Sequence, residues 1–367
     1  MIAEMSYDLS TESWRIVRGF LPADWKKSAR EFGALRRARE IKDEEVLLQL
    51  LLMHTAGGLS LKQAAMRATE WGLANVSAVA LFKRLRAAEP WLRHLTAQMV
   101  EEMSTKLTGM GEPGRRWRIL DATDIVEPGP TGASWRVHYS LRLPELACDF
   151  FEVTDTHGGE SFKRLPVKGG DVVLADRGYA NRQGVAHILG TGAAVVVRIN
   201  VQTFPLAKGD GGEFRALPCL RRLNGHACGE WKVSFEWKGR CYPARLCAVR
   251  KSALNAERAR RKAKRKSSNN GHQTIQPETL ELAGYVLVLT TLAPINYSTK
   301  TVLEIYRCRW QVELAFKRLK SLLAFGHVPK TDPESCRGWL QGKILAALLI
   351  DKILRHGRFF SPWGYTL

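Results

Sequence analysis

In the first third of the chain, apolar side chains recur every three to four positions, the period of helices that bury one face. Asp43 stands where an N-cap is needed, the run that follows reaches His54, and Gly57-Gly58 closes it. Ser60, with Gln63 three residues on, has the form of a capping box opening a second helix, which Trp71-Gly72 ends. A third helix is expected from Ser77 to Ala88. Residues 1–110 therefore predict an all-α domain of helix-turn-helix type, with Lys83, Arg84 and Arg86 on its last helix as the DNA-contacting residues. A plain helical bundle with a solvated basic face fits the same pattern equally well.

From about residue 116 the period shortens to two. RWRILDAT, WRVHYSLRL and CDFFEVTD read as three strands of an antiparallel meander, separated by turn residues such as Pro128, Gly129, Gly132 and Pro144. DVVLAD, NRQGVAHILG and AAVVVRI then read as strand, helix, strand, which adds parallel strands and makes the core mixed α/β. Residues 201–292 hold further strand-like runs and are read as a β-rich insertion. Its basic stretch ERARRKAKRKSSNNG reads either as a solvated helix with a frayed end or as a flexible phosphate-gripping arm, and a mobile loop that can touch DNA nonspecifically is the expectation. One long helix is expected from Thr299 to Leu323, a break at Gly326 and Pro333, and a last helix from Arg337 to Leu354. The expected divisions are 1–110, 111–200, 201–292 and 293–367, the last read as open to truncation because SPWGYTL follows the final helix so closely.

The charge balance narrows the partner. Lys and Arg number 56 against 36 Asp and Glu, a formal net charge of +20, which suits a polyanion such as nucleic acid. No apolar run approaches the roughly 20 residues of a membrane-spanning helix. The N-terminal MIAEMSYDLSTESW lacks the pattern of an export signal, so a cytoplasmic location is expected. The seven cysteines include no C-x-x-C pair. Cys219, His226 and Cys228 come nearest to a metal cluster but lack a fourth ligand at sensible spacing, so reduced structural thiols are expected.

The segment 299–323 carries the most chemistry. Ile305, Cys308, Val312, Ala315, Leu319 and Leu322 follow helical steps and predict a core-facing stripe. Tyr306, Arg309, Glu313 and Lys320 fall within roughly 60° of one another on a straight helix, turned away from that stripe. The bland alternative is a solvent face on which Glu313 pairs with Lys317.

The spacing in YRCRWQVELAFKRLK matches the Y-x2-R-x3-E-x6-K signature and resembles the DDE transposases of the IS-four type. LDAT resembles the strand end that holds the first catalytic acid of that family, with Ala for Gly, and VVLADRGYAN resembles the motif of the second. The resemblance implies an RNase H-like catalytic core carrying Asp121, Asp176 and Glu313 as catalytic, metal-holding acids. It further implies that Tyr306, Arg309 and Lys320 grip DNA phosphates, and that a homodimer acts on double-stranded DNA at terminal inverted repeats. Three converging carboxylates repel unless cations neutralise them, so two Mg²⁺ ions are expected, with Mn²⁺ able to substitute. Among competing acids, Asp124 could cap a turn or take the metal role from Asp121, Asp155 is read as a turn residue, and Asp171 as a surface turn group. Trp231, Trp237 and Tyr285 are read as core aromatics rather than as a stacking platform for a flipped base. A copy that only binds DNA is disfavoured by the three acids, and a plain nuclease of the same fold by the tyrosine, arginine and lysine beside the glutamate.

Overall fold

The computed structural model describes residues 13–105, 114–129, 133–224, 227–269 and 275–357. Gly132, His226 and the terminal segments 1–12 and 358–367 lie outside the described residues.

The N-terminal helices are α1 (Trp25–Glu31), α2 (Glu44–Thr55), α3 (Leu61–Glu70), α4 (Ala78–Ala87) and α5 (Glu89–Thr105). Three of them, α2, α3 and α4, start where the caps predict, and two more, α1 and α5, flank them. Asp43 accepts from the Val46 amide at 2.8 Å and Ser77 from the Ala80 amide at 3.1 Å. The Ser60/Gln63 box closes in both directions, at 3.2 and 2.9 Å.

Leu47, Leu51, Leu81, Leu85, Trp91 and Leu95 from these helices enter one core with Leu340, Ile344 and Leu348 of the last helix. Two glycines of that helix allow the close approach. A Cβ on Gly342 would meet Thr55 Oγ1 at 2.6 Å, and one on Gly338 would meet the Leu85 carbonyl oxygen at 2.7 Å. The same core takes in Trp135, Val137 and Phe325, so the helical layer rests on one face of the sheet.

The sheet comprises β1 (Arg116–Val126), β2 (Ala133–Leu143), β3 (Ala147–Asp155), β4 (Asp171–Ala175), β5 (Ala194–Arg198), β6 (Ala207–Lys208), β7 (Cys228–Trp237), β8 (Arg240–Arg250) and β9 (Tyr285–Thr290). Its order is β3-β2-β1-β4-β5-β9-β8-β7-β6. β4 is parallel to β1 and to β5, and the other pairs are antiparallel. The strands of segment 201–292 thus extend the central sheet, through β9 beside β5. Helix α6 (Arg182–Gly190) makes the β4-to-β5 crossover, and α7 (Ala216–Arg221), α8 (Ala253–Asn269) and α9 (Pro277–Leu282) lie among the later strands. Trp231 and Trp237 are partly buried against the core of this region and Tyr285 lies within it, its hydroxyl accepting from Arg250 at 3.0 Å.

The structure corrects three expectations here. Residues 257–269 of the basic stretch, expected as a loop rather than a solvated helix, belong to helix α8: their Ala, Arg, Lys and Glu are good helix formers, and Glu257 pairs with Arg261 one turn on at 3.1 Å. The last helix, α12 (Pro333–Gly357), starts at the proline expected to precede it. Asp332 accepts from the Ser335 amide at 2.9 Å, and proline suits the first helical position because its missing N–H would have no partner there.

Asp171, expected at the surface, is fully buried. It accepts from the Lys168 amide at 3.1 Å and pairs with Arg116 at 2.5 Å and Arg118 at 3.4 Å; Arg118 in turn lies 2.6 Å from Asp149. The 2.5 and 2.6 Å contacts are off the hydrogen-bonding axis, so they are ion pairs held by charge alone. Removing Asp171 takes the partner from half-buried Arg116 and leaves buried Arg118 with Asp149 alone, so Asp171→Ala is expected to cost about 3 kcal/mol in urea denaturation. A loss below about 1 kcal/mol would show the network to be dispensable.

Among the described residues, no helix is long and apolar enough to cross a membrane.

Candidate active site

Strand register brings the first two acids together. Leu120 of β1 pairs with Ala175 of β4 in parallel, so Asp121, midway along the longer β1, stands beside Asp176, which follows the carboxyl end of β4. Here the chain turns to opposite sides of the sheet, since β1 continues to β2 and β4 to β5, the place where open α/β sheets gather ligands. Asp121 Oδ1 accepts from the Ala122 amide at 2.8 Å and Asp176 Oδ1 from the Gly178 amide at 2.7 Å, which fixes both carboxylates.

The third acid arrives on a different element from the one expected. Instead of one helix over 299–323, there are α10 (Thr299–Arg307) and α11 (Trp310–Leu322). Between them the amides of Cys308, Arg309, Gln311 and Val312 bond to carbonyls three residues back, which tightens the turn and shifts the phase of the faces. Tyr306, expected on the open face, is consequently buried at 9% exposure among the apolar side chains under the sheet, whereas Glu313 is exposed. The expected stripe changes with it. Val312 is buried and Ala315 and Leu319 are partly so, but Cys308 is exposed and Leu322 is 77% exposed, with Phe316 filling the core instead.

Arg309 sits at the kink and joins the acids. Its guanidinium donates to Asp121 Oδ2 at 3.2 Å and to Glu313 Oε1, and it lies 6.0 Å from the Tyr306 ring centroid. The expected pairing of Glu313 with Lys317 gives way to this one because Arg309, one turn earlier, reaches both carboxylates. Lys320 is exposed and reaches the Asp124 carbonyl oxygen at 3.4 Å. An open cleft beside the group is lined by Asp121, Ala122, Glu313, Phe316, Lys317 and Lys320. The start of α10 is anchored to the sheet. Buried Arg245 of β8 grips Glu230 through Nε and an Nη at 2.9 and 2.6 Å and donates to the carbonyls of Leu292 and Tyr297 just before α10.

Burial first, and then the charges of Asp176 and Glu160, push the Asp121 carboxyl up to about 7, although Arg309 and the Ala122 amide pull the other way. Asp124 pairs across the strands with Arg136 at 2.8 Å, and Asp155 caps a turn by accepting from the His157 and Gly158 amides. Lys83 is exposed. Arg84 donates to the Ala34 and Arg37 carbonyls, and Arg86 pairs with Glu334 and Asp332.

Three nearby groups had no signal in the periodicity. Glu160 comes from the loop before β4, and burial and the charge of Asp176 raise its pKa. Burial, then Arg177, lowers that of Arg198 at the end of β5, and Lys251 after β8 is drawn down to about 8 by burial and by Arg198. Acids thus gather around the end of β4 with cations flanking them.

Among the described residues, no three His, Cys, Asp or Glu side chains stand in a ready metal-holding arrangement, and Arg309 lies between two of the acids. The donor set nevertheless suits a hard divalent cation: carboxylates whose neighbours raise the pKa of Asp121 and of Glu160, and a buried Tyr179 hydroxyl with no hydrogen-bond partner.

Residues 153–349 match the Transposase DDE domain family. The InsL protein of insertion sequence element IS186A from Escherichia coli (strain K12) is 36% identical over 365 residues, covering 96% of this chain and 97% of that protein. The transposase for insertion sequence element IS421 of Escherichia coli is 36% identical over 366 residues with the same coverage. The transposase for element IS231F of Bacillus thuringiensis subsp. israelensis is 24% identical over 272 residues, 65% of this chain and 57% of the relative. With a domain match over more than half its length and near end-to-end likeness at 36% identity, the chain belongs to the DDE transposase family.

Proposed function

We propose that this transposase cuts and rejoins double-stranded DNA at the terminal inverted repeats of an insertion sequence, with Asp121, Asp176 and Glu313 as the acids of an RNase H-like core. The observation that carries this reading is the convergence of the three carboxylates: two meet by strand register, and the third is tied to the first through Arg309. The acids would hold two Mg²⁺ ions, or Mn²⁺ in their place, which when bound activate the attacking oxygen and stabilise the leaving one. Arg309 presents a planar fork and Lys320 a point charge to the backbone of the element end. Tyr306 backs Arg309 from the core, so its part is to aim the guanidinium. The N-terminal helices are the DNA-recognising part, with Lys83, Arg84 and Arg86 as contacts. The exposed Arg86–Glu334 pair is screened by solvent and can exchange for a phosphate. A homodimer brings two ends together, in the cytoplasm.

The test is incubation of the full-length protein with duplexes carrying the ends of its own element. Strand breaks at the repeat are expected with Mg²⁺ or Mn²⁺ and none with chelator. Binding should weaken steeply with salt, and less steeply after Lys83, Arg84 and Arg86 are replaced by Ala. Breaks that ignore the repeat, or that persist in chelator, would overturn the reading.

A further inference from the structure

Glu160 reaches the acids through a loop fixed on both sides. Ser161 caps a short helical turn at Phe162–Arg164, and the fully buried Phe162 packs on Tyr179, with ring centroids 5.5 Å apart. Gly178, two residues after Asp176, leaves the room: a Cβ there would collide with the Glu160 carboxylate and lie 3.1 Å from Asp176 Oδ1. Both carboxylates therefore flank the same hydrogen of Gly178.

Neither has an ion-pair partner among the described residues. Arg136, the nearest cation to Glu160 in electrostatic effect, gives its Nε to Asp124 at 2.8 Å and its Nη1 to the Gly158 carbonyl at 3.5 Å. A second and independent observation points into the same space. Tyr179 is fully buried, its hydroxyl has no hydrogen-bond partner, and the charges it feels most are those of Glu160, Asp121 and Asp176, in that order. Buried hydroxyls are almost always satisfied, and adjoining carboxylates repel unless a cation or a proton lies between them. A divalent cation with its water shell answers both needs, since it takes carboxylate oxygens as ligands and its water can accept from the hydroxyl.

We propose that Glu160 is a fourth acid of the active site, facing Asp176 across Gly178 and sharing with it the hold on a divalent cation, directly or through a water to which Tyr179 donates. The proposal rests on the assignment of Asp121, Asp176 and Glu313 as the metal-holding acids. It explains why the residue at 178 is glycine although its backbone is not in the left-handed region: a side chain there would evict Glu160.

The test is Mn²⁺ titration of the full-length protein by calorimetry, with thermal melts with and without the metal. Glu160→Gln is expected to weaken Mn²⁺ binding about tenfold or more and to shrink the metal-induced rise in Tm. The metal-free Tm should stay level or rise, because a carboxylate beside Asp176 has been neutralised. Gly178→Ala, which displaces Glu160 without changing any charge, should weaken Mn²⁺ binding as well. Wild-type affinity in Glu160→Gln alongside lost affinity in Asp176→Asn would overturn the role of Glu160 and leave the three-acid site standing. Wild-type affinity in Asp176→Asn too would remove the site assignment itself, and the proposal with it. A drop in metal-free Tm at unchanged affinity would make Glu160 a structural partner of Arg136 and also overturn it.

Discussion

Asp176→Asn and Glu313→Gln, each made alone, should lower cleavage of a terminal-repeat duplex by about 10³-fold or more while leaving binding to that duplex intact. Each change keeps the size and shape of the side chain and deletes one negative charge. The Asp176→Asn side chain still offers a carbonyl oxygen to the Gly178 amide, so the strand end keeps its form. What disappears is a ligand to a cation whose contribution to the transition state is several kcal/mol, and every 1.4 kcal/mol is about tenfold in rate. Retained phosphate affinity follows because neither acid grips DNA; less negative charge near the backbone should if anything favour binding. The measurement is a single-turnover time course in Mg²⁺ beside a gel-shift titration. Near wild-type cleavage in either variant would remove that residue from the catalytic set, and joint loss of binding and cleavage would mean that the fold had been damaged.

Arg309→Ala carries the second large effect, and two distinct signatures. If the guanidinium positions an end phosphate, cleavage and strand transfer should fall by about 10²–10³-fold, the size of loss seen when one preorganised donor is removed from a site. The second signature comes from what Arg309 does in the metal-free protein, where it lies between Asp121 and Glu313 as a cation would. Without it Asp121, with a side chain only 14% exposed, stands beside Asp176 and Glu160 with no counter-charge. Arg309→Ala should therefore melt lower than wild type in chelator and gain more from Mg²⁺. Arg318→Ala, an exposed cation on the same helix away from the cleft lining, is the control and should change neither quantity. Equal losses from both substitutions would mean diffuse electrostatics. Full strand-transfer rate in Arg309→Ala would end the case for its positioning role.

Much of this was written locally in the chain. Asp43, Ser60 and Ser77 act through hydrogen bonds to residues three positions away, so spacing alone reveals them. The strand leading to Asp176 shows as an apolar run because its side chains are buried on both faces, and the one holding Asp121 shows by its alternation. What stayed hidden depends on distant partners. Asp171 looks like any acid after two glycines until Arg116 and Arg118, more than fifty residues earlier, enclose it. The kink at Cys308–Arg309 is invisible to a helical wheel, because it arises from a change of hydrogen-bond step with no proline or glycine to mark it. Glu160 sits in a loop without periodicity, and only the close approach at Gly178 ties it to the acids.

The tight seat of α12 against α2 and α4 also sets an order of events during synthesis. Leu47, Leu51, Leu81 and Leu85 belong to the apolar core of the first hundred residues, yet the cover supplied by Leu340, Ile344 and Leu348 is made more than two hundred residues later. At about 5–20 residues per second, the emerging chain carries that surface uncovered for on the order of ten seconds or more. Contacts so far apart in sequence make folding slow and leave the half-made protein prone to association. The core shared by the N-terminal helices is thus completed only once residues 333–357 have been added. A fragment ending near residue 110 would bear the same bare face permanently, which makes the intact chain the proper object for measuring repeat recognition.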